Sequence, residues 1–303
     1  MILVTGSSGV LGTALTQEIG EHYSDVEAIK SSDVDLRNFD STLSYFQARR
    51  PDIIYHAAAR VHGLMGNRMF PNDVYVDNIR INTNVVEAAR LSGCQKFIAI
   101  STVAAYPDTQ KLPIREDFLL EGPPHHSEQA YAHSKRAMLG HLQACQVQYG
   151  MNFTYVLLTN LYGLHDRFDE AHGHVIPSLI SKFHRAAREG GKVTIWGTGR
   201  ARRDFLFSSD AASAIRLVGQ KASGPINVAS GMTVPVSSVV DCLSRISGVS
   251  DVAWDDTKPD GQLDRSYDVT RLRELGFHPR VGLEEGLRLT YEWYSRSYPN
   301  VRT

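Results

Sequence analysis

Short apolar runs alternate with amphipathic stretches through the first half of the chain. Residues 2–5, 26–30, 53–56, 97–101 and 154–158 have the length and apolar content of buried strands. Between them, apolar positions recur at helical spacing. Phe39, Leu43 and Phe46 follow Asn38, a side chain suited to an N-cap. Val85, Val86, Ala88 and Ala89 close a long helix before Gly93. Alternation of this kind predicts an α/β fold built on a doubly wound parallel sheet with helices on both faces. Residues 102–129 break the pattern. The stretch is long and holds four prolines, which marks it as a functional loop.

The second half changes character. Residues 175–188 read as an amphipathic helix with Ile176, Leu179, Ile180 and Phe183 on one face. Short strands are expected near 193–196 and 226–229, and helices near 237–247 and 283–294. With no repeat and no low-complexity linker, this half is expected to be a smaller lobe packed on the first.

Composition narrows the class. Of 303 residues, 42% are hydrophobic, enough for a full core, and the net charge of -1 leaves no electrostatic footprint for nucleic acid. Cys94, Cys145 and Cys242 show no C-x-x-C spacing, which argues against a disulfide framework or a metal site and suits a reducing compartment. The chain opens on an apolar strand without a secretory leader pattern, and no apolar run approaches the roughly 20 residues of a membrane span. A cytoplasmic protein with no membrane partner is the expectation.

Three motifs carry chemistry. The run Thr5-Gly6-Ser7-Ser8-Gly9-Val10-Leu11-Gly12 joins the first strand to the first helix. Glycines 6 and 9 let the backbone approach a pyrophosphate at the helix N-terminus, and Gly12 allows close helix–strand packing. At the end of the second strand, Lys30-Ser31-Ser32 stands where a carboxylate would favour NAD. A cation and two hydroxyls suit a 2'-phosphate and hence NADP(H), although Asp33 follows closely. Asp35 and Leu36 are placed to meet the adenine edge. Ala57, Ala58 and Ala59 end the third strand, small enough for a cofactor to lie across the sheet edge or simply for close packing. The third motif is Tyr131-Ala132-His133-Ser134-Lys135. Tyr and Lys four apart share a helix face, and a neighbouring ammonium favours the phenolate. Of thirteen tyrosines, only Tyr131 has Lys four residues on.

These motifs, with Ser101-Thr102 before Tyr106-Pro107, resemble an extended short-chain dehydrogenase/reductase. Further stretches narrow the likeness: Glu121-Gly122-Pro123, Thr159-Asn160-Leu161-Tyr162-Gly163, His165-Asp166, Gly173-His174-Val175-Ile176-Pro177, Trp196-Gly197-Thr198-Gly199, Arg203-Asp204-Phe205 and Lys258-Pro259-Asp260-Gly261. Over nearly the whole chain they are similar to the GDP-L-fucose synthase family, which epimerises and then reduces a GDP-linked 4-keto-6-deoxy sugar with NADPH. The resemblance implies a Rossmann domain over residues 1–163. Residues 164–303 would form mainly a smaller C-terminal α/β lobe for the sugar nucleotide, with segments returning to the sheet. It implies that Tyr131 protonates the C4 oxygen, that Lys135 holds the nicotinamide ribose and lowers the Tyr pKa, and that Thr102 stands at the catalytic Ser position. Asn160, His174, Lys182, Trp196, Arg203, Lys258 and Asp260 fall at substrate-facing positions. A core aromatic and a solvated charge are the plainer readings of Trp196 and Arg203. Pairing into a homodimer through helices near 71–93 and 130–149 is implied as well.

Two departures from the family pattern alter the expected chemistry. The family's epimerisation Cys is Ala104 here, while its partner His is retained as His174. The family's Val-Gly-Gly reads Val61-His62-Gly63, so His62 either fills space or points to solvent, or else it changes the sugar preference or supplies a relocated acid–base group. The resulting expectation is C4 reduction of a nucleotide-linked, GDP-type 4-keto sugar, with epimerisation in doubt. A full epimerase–reductase, a 4-epimerase that retains NAD, and a non-catalytic cofactor-binding regulator are the alternatives. A dehydratase would need a carboxylate pair just past Thr102, and Val103-Ala104 supplies none.

Overall fold

The apolar runs of the first half all form strands, and those inside the sheet are buried on both faces because helices enter from both sides, while the edge run at 26–29 is only partly buried. The computed structural model describes residues 1–302 other than His62, Gln110, Ala171, His172 and Pro259, with the side chains of Leu64 and Met65 also outside the described set. The first half runs β1 (Ile2–Thr5), α1 (Val10–His22), β2 (Val26–Ile29), α2 (Phe39–Arg49), β3 (Ile53–His56), α3 (Leu64–Met69), α4 (Pro71–Leu91), β4 (Lys96–Thr102), α5 (Gln129–Tyr149) and β5 (Asn152–Leu158). There follow β6 (Asn160–Tyr162), α6 (Val175–Glu189), β7 (Val193–Trp196), β8 (Arg202–Phe207), α7 (Ser208–Lys221) and β9 (Gly224–Val228). The chain then continues through β10 (Thr233–Pro235), α8 (Val236–Ser247), β11 (Val252–Asp255), α9 (Thr270–Glu274) and α10 (Leu283–Ser297).

Six strands make the main sheet in the order β2-β1-β3-β4-β5-β9, every pair parallel. Helix α1 packs against α7, while α2, α4 and α5 pack together. The sheet is therefore doubly wound. The chain leaves β1 for β2 on one side and crosses back to β3 on the other. The carboxyl ends of β1 and β3 thus flank a topological switch point, the place where open α/β sheets bind ligands.

Asn38 caps α2 as its residue type suggests, its Oδ1 accepting from the Ser41 N–H at 2.9 Å. A second apolar cluster gathers Phe168, Ile176, Ile180, Phe183, Val239, Leu243, Leu287 and Tyr294 from α6, α8, α10 and the turn before α6. Two small sheets accompany it, β10-β8-β6 and a parallel pair β11-β7. No helix among the described residues is long and apolar enough to cross a membrane.

Candidate active site

The glycine run is shaped by contact with the end of β3. Gly6 has φ +73°, and a Cβ there would sit 2.7 Å from the Ala58 Cα and N. A Cβ on Gly12 would sit 2.0 Å from the Gly6 carbonyl oxygen. Both glycines are required by the protein's own packing. Gly9 differs. A Cβ there would meet only ordinary contacts, the nearest being Arg302 Nη1 at 3.6 Å. Nothing in the protein's own packing requires Gly9 to be bare. Gly9 is also the N-cap of α1, which has no side-chain cap and no acidic residue in its first turn. Uncapped N–H groups and the positive end of the helix dipole fit a diphosphate.

Beneath this turn runs a buried polar chain. The Ala58 N–H donates to Thr5 Oγ1 at 3.2 Å, Thr5 Oγ1 meets His56 Nδ1 at 2.8 Å, and His56 Nε2 meets Asn82 Oδ1 at 3.2 Å. Asn82 Nδ2 then donates to the Ser134 carbonyl at 3.4 Å. The network assigns the proton to His56 Nε2, with Nδ1 accepting from the threonine hydroxyl. Burial, followed by the charge of Lys135, pushes the His56 pKa down to about 3, so the ring is neutral. The chain couples β1 and β3 to α4 and to the turn of α5 that carries Tyr131 and Lys135.

That turn is fixed from below as well. Ser101 donates to the Tyr155 hydroxyl at 2.6 Å, and Tyr155 donates to the Lys135 carbonyl at 2.8 Å. Ser101 is thereby spent in the core. Its neighbour Thr102, half-buried at the end of β4, accepts the Ala104 N–H on Oγ1 at 3.1 Å and keeps its own O–H to donate. The Lys135 Nζ is 1% exposed as a residue, donates to the Ile100 carbonyl at 2.9 Å, and lies 5.7 Å from the Tyr131 ring centroid. One acceptor for three ammonium hydrogens is a poor bargain in a buried place, and burial pushes its pKa down to about 7. Ribose hydroxyls would supply the missing acceptors.

The expected lowering of the Tyr131 pKa is corrected here. Burial, with the charge of Glu128 adding to it, raises the phenol above its ordinary value. A phenol that holds its proton at neutral pH is in the right state to act as an acid.

The loop between β4 and α5 is clamped by two arginines that its own sequence does not announce. Arg136 donates to the Ala105 and Gly122 carbonyls, each at 2.7 Å, and buried Arg265 donates to the Val103 and Pro107 carbonyls at 3.1 and 3.3 Å. Ala104 is thus held in a short 3-10 turn (Val103–Ala105). Cys94 lies at the opposite end of β4, about 20 Å away by strand rise, with its Sγ within 3.3 Å of the Lys96 carbonyl.

At the adenosine end, the Asp33 carboxylate turns back to accept the Lys30 N–H at 2.9 Å and the Ser32 hydroxyl at 3.3 Å. The Lys30 side chain is left exposed. Asp35 is also engaged. Arg37 grips it through Nε and Nη2, each at 2.9 Å, beside buried Leu36.

The substrate-facing positions divide. Trp196 is 52% exposed with the Lys258 Nζ 5.9 Å above its ring, so it is no core aromatic. Arg203 is half-buried and, among the described residues, its side chain donates only to the Arg202 carbonyl, at 2.8 Å, while burial and the nearby Arg265 push its pKa down. His174 is exposed as the N-cap of α6, and it acts electrostatically on buried Asp166, whose carboxyl burial pushes up to about 6. Asn160 Nδ2 and Lys182 Nζ donate to the Asp204 and Thr194 carbonyls at 3.0 and 3.2 Å. The Asp260 carboxylate takes the Thr198 N–H and hydroxyl at 2.6 and 2.7 Å, which makes it the brace of the Gly197-Thr198-Gly199 turn. His62 lies outside the described residues. Away from the site, Glu87, His141 and Cys145 bring ligand-type atoms within 4.8 Å of one another, but Arg90 already holds both Glu87 oxygens.

A parallel doubly wound sheet, a glycine turn at its switch point and a Tyr-x3-Lys helix define an oxidoreductase of the extended short-chain dehydrogenase/reductase class. The chain belongs to the NAD dependent epimerase/dehydratase family, whose model matches residues 2–229. It is 32% identical to the GDP-L-fucose synthase of Escherichia coli (strain K12), over 99% of this chain and 98% of that one. A GDP-L-fucose synthetase from Naegleria fowleri bound to NADP superposes with a TM-score of 0.90 at 28% identity, covering 100% of this chain and 96% of that one. A GDP-mannoheptose C4 reductase from Campylobacter jejuni with NADP bound gives 0.86 at 25% identity, covering 97% of each chain.

Proposed function

We propose that this protein uses NADPH to reduce the C4 ketone of a GDP-linked 4-keto sugar and epimerises its substrate weakly or not at all. The cofactor supplies the hydride. The uncapped N-terminus of α1 and bare Gly9 receive its diphosphate, and Lys135 meets its ribose. Lys30 and the hydroxyls of Ser31 and Ser32 favour a 2'-phosphate, since the Asp33 carboxylate that would repel it is folded into its own turn. Both superposed relatives bind NADP.

Tyr131 donates the proton as the C4 oxygen becomes an alkoxide. Thr102 donates a hydrogen bond to that same oxygen, stabilising the charge as it develops. Arg203, short of acceptors within the chain, suits a diphosphate, and Trp196 with Lys258 offers an aromatic and cationic edge to the nucleotide.

The observation that carries the reductase reading is Ala104. Inverting C3 and C5 needs a proton removed from one face and returned to the other. A methyl group at the turn after Thr102 cannot titrate, and none of the three cysteines reaches that turn from its place at Cys94, Cys145 or Cys242. His174 alone fills one of two roles. Turnover in deuterium oxide, read by NMR of the product, tests this. The expected product keeps protium at C3 and C5. Rapid deuteration of both with inverted stereochemistry would instead establish a full epimerase–reductase, with His62 the first residue to substitute.

A further inference from the structure

Beyond α10 the backbone folds back in two tight turns, with the Asn300 N–H on the Ser297 carbonyl at 2.8 Å and the Val301 N–H on the Pro299 carbonyl at 2.9 Å. Val301 packs on the second apolar cluster. The Phe168 N–H then donates to the Arg302 carbonyl at 2.8 Å. Phe168 itself is wedged against Tyr294 and Trp293 at centroid distances of 4.6 and 5.9 Å. The backbone of Arg302 is therefore fixed to the substrate lobe, while its side chain crosses to the other lobe and places Nη1 3.6 Å from where a Gly9 Cβ would stand.

Two positive features meet there. One is the N-terminus of α1, which has neither a side-chain cap nor an acid in its first turn. The other is a guanidinium that makes no hydrogen bond or ion pair with any described residue. Asp166, a carboxyl on which Arg302 acts electrostatically, spends one oxygen on the Arg167 N–H at 2.7 Å and leaves the other unbonded. An arginine with no direct ion pair among the described residues, set against an uncapped helix start, matches a ligand that brings two phosphates.

We propose that Arg302 is a diphosphate-binding residue of the NADPH site. The segment after α10 is then a strap, anchored on the second apolar cluster through Phe168 and Val301, that brings a cation to the N-terminal end of α1. The proposal rests on the NADPH reading above and extends it to a residue far from every dinucleotide motif. It also gives the substrate lobe a direct hold on the cofactor.

The test compares the full chain with its Arg302→Ala and Arg302→Lys variants, each checked by near-UV circular dichroism and thermal melting. Two ligands are titrated, NADPH and adenosine 2'-monophosphate, which carries the adenosine end without the diphosphate. Arg302→Ala is expected to weaken NADPH about 10-fold or more, in the range of a lost charge-assisted contact, with a shallower salt dependence. Adenosine 2'-monophosphate should bind all three proteins within about twofold, a tolerance well inside that range. Arg302→Lys should recover part of the loss, a point charge replacing a fork. Unchanged or tighter NADPH binding in Arg302→Ala would overturn the proposal. So would equal weakening of both ligands, which would make the strap a general support of the fold. If the unaltered protein fails to bind NADPH, the cofactor reading itself falls, and that is visible before any variant is measured.

Discussion

In the proposed reduction the chemistry turns on Tyr131 and Lys135, and both are placed where charge is discouraged. Burial holds the phenol protonated and brings the ammonium down to about 7. Reduction needs the first of these, because the tyrosine must arrive with a proton to give. Tyr131→Phe should cost about 10² or more in turnover while NADPH affinity stays near the parent value. Turnover like the parent's would make Tyr131 a structural residue. His56 has a different consequence. Its folded pKa of about 3 lies below the ordinary 6.5, so unfolding takes up a proton between those values. Stability should fall as pH drops through that window and be untouched by His56 above it. A melting series in His56→Gln should have a shallower slope from about pH 6.5 to 4, the upper part of that window; an unchanged slope would assign the acid sensitivity to other groups. The Tyr131–Lys135 pair stands out in the sequence only by its spacing taken together with the glycine run and the hydroxyl-bearing strand end before it. The role of His56 does not stand out there, because its partners Thr5 and Asn82 are 51 and 26 residues away.

At the scale of the element, periodicity carries far. The strands at 2–5 and 53–56 and the cap at Asn38 follow from local pattern. What local pattern does not give is how the loop between β4 and α5 is held, since Arg136 reaches it from a helix and Arg265 from residues more than 150 positions on. The glycine turn separates the two kinds of information within one motif. Gly12→Ala pushes a methyl into the Gly6 carbonyl and should cost about 1–3 kcal/mol, the scale of overpacking, seen as a lower melting temperature. Gly9→Ala meets only ordinary van der Waals contacts and should melt like the parent, yet bind NADPH about 10-fold or more weakly, because the methyl occupies ligand volume. Should Gly9→Ala destabilise the protein as much as Gly12→Ala, the assignment of Gly9 to the diphosphate would be wrong.

For the whole molecule, the sheet order puts the carboxyl ends of β1, β3 and β4 along one edge. There the glycine turn, the alanine run and Thr102 all gather. The second lobe brings Trp196, Arg203 and Lys258 on β7, β8 and the loop after β11. The fold is readable from sequence because the strand–helix alternation dictates the parallel sheet, and the glycine turn, the alanine run and Thr102 sit at the ends of its strands. Asp260 bracing Thr198, and Arg302 reaching Gly9, are contacts between segments 62 and about 300 residues apart. Only the assembled chain reveals them. The central claim is hydride transfer from NADPH to C4, and its most direct test is isotopic. The protein is incubated with NADPH deuterated at both C4 positions of the nicotinamide and a GDP-linked 4-keto-6-deoxy sugar, and the product is examined by NMR and mass spectrometry. The account predicts one deuterium per product, located at C4 of the sugar, with one NADPH oxidised for each. A product formed without net NADPH oxidation, or one bearing no deuterium at C4, would contradict it.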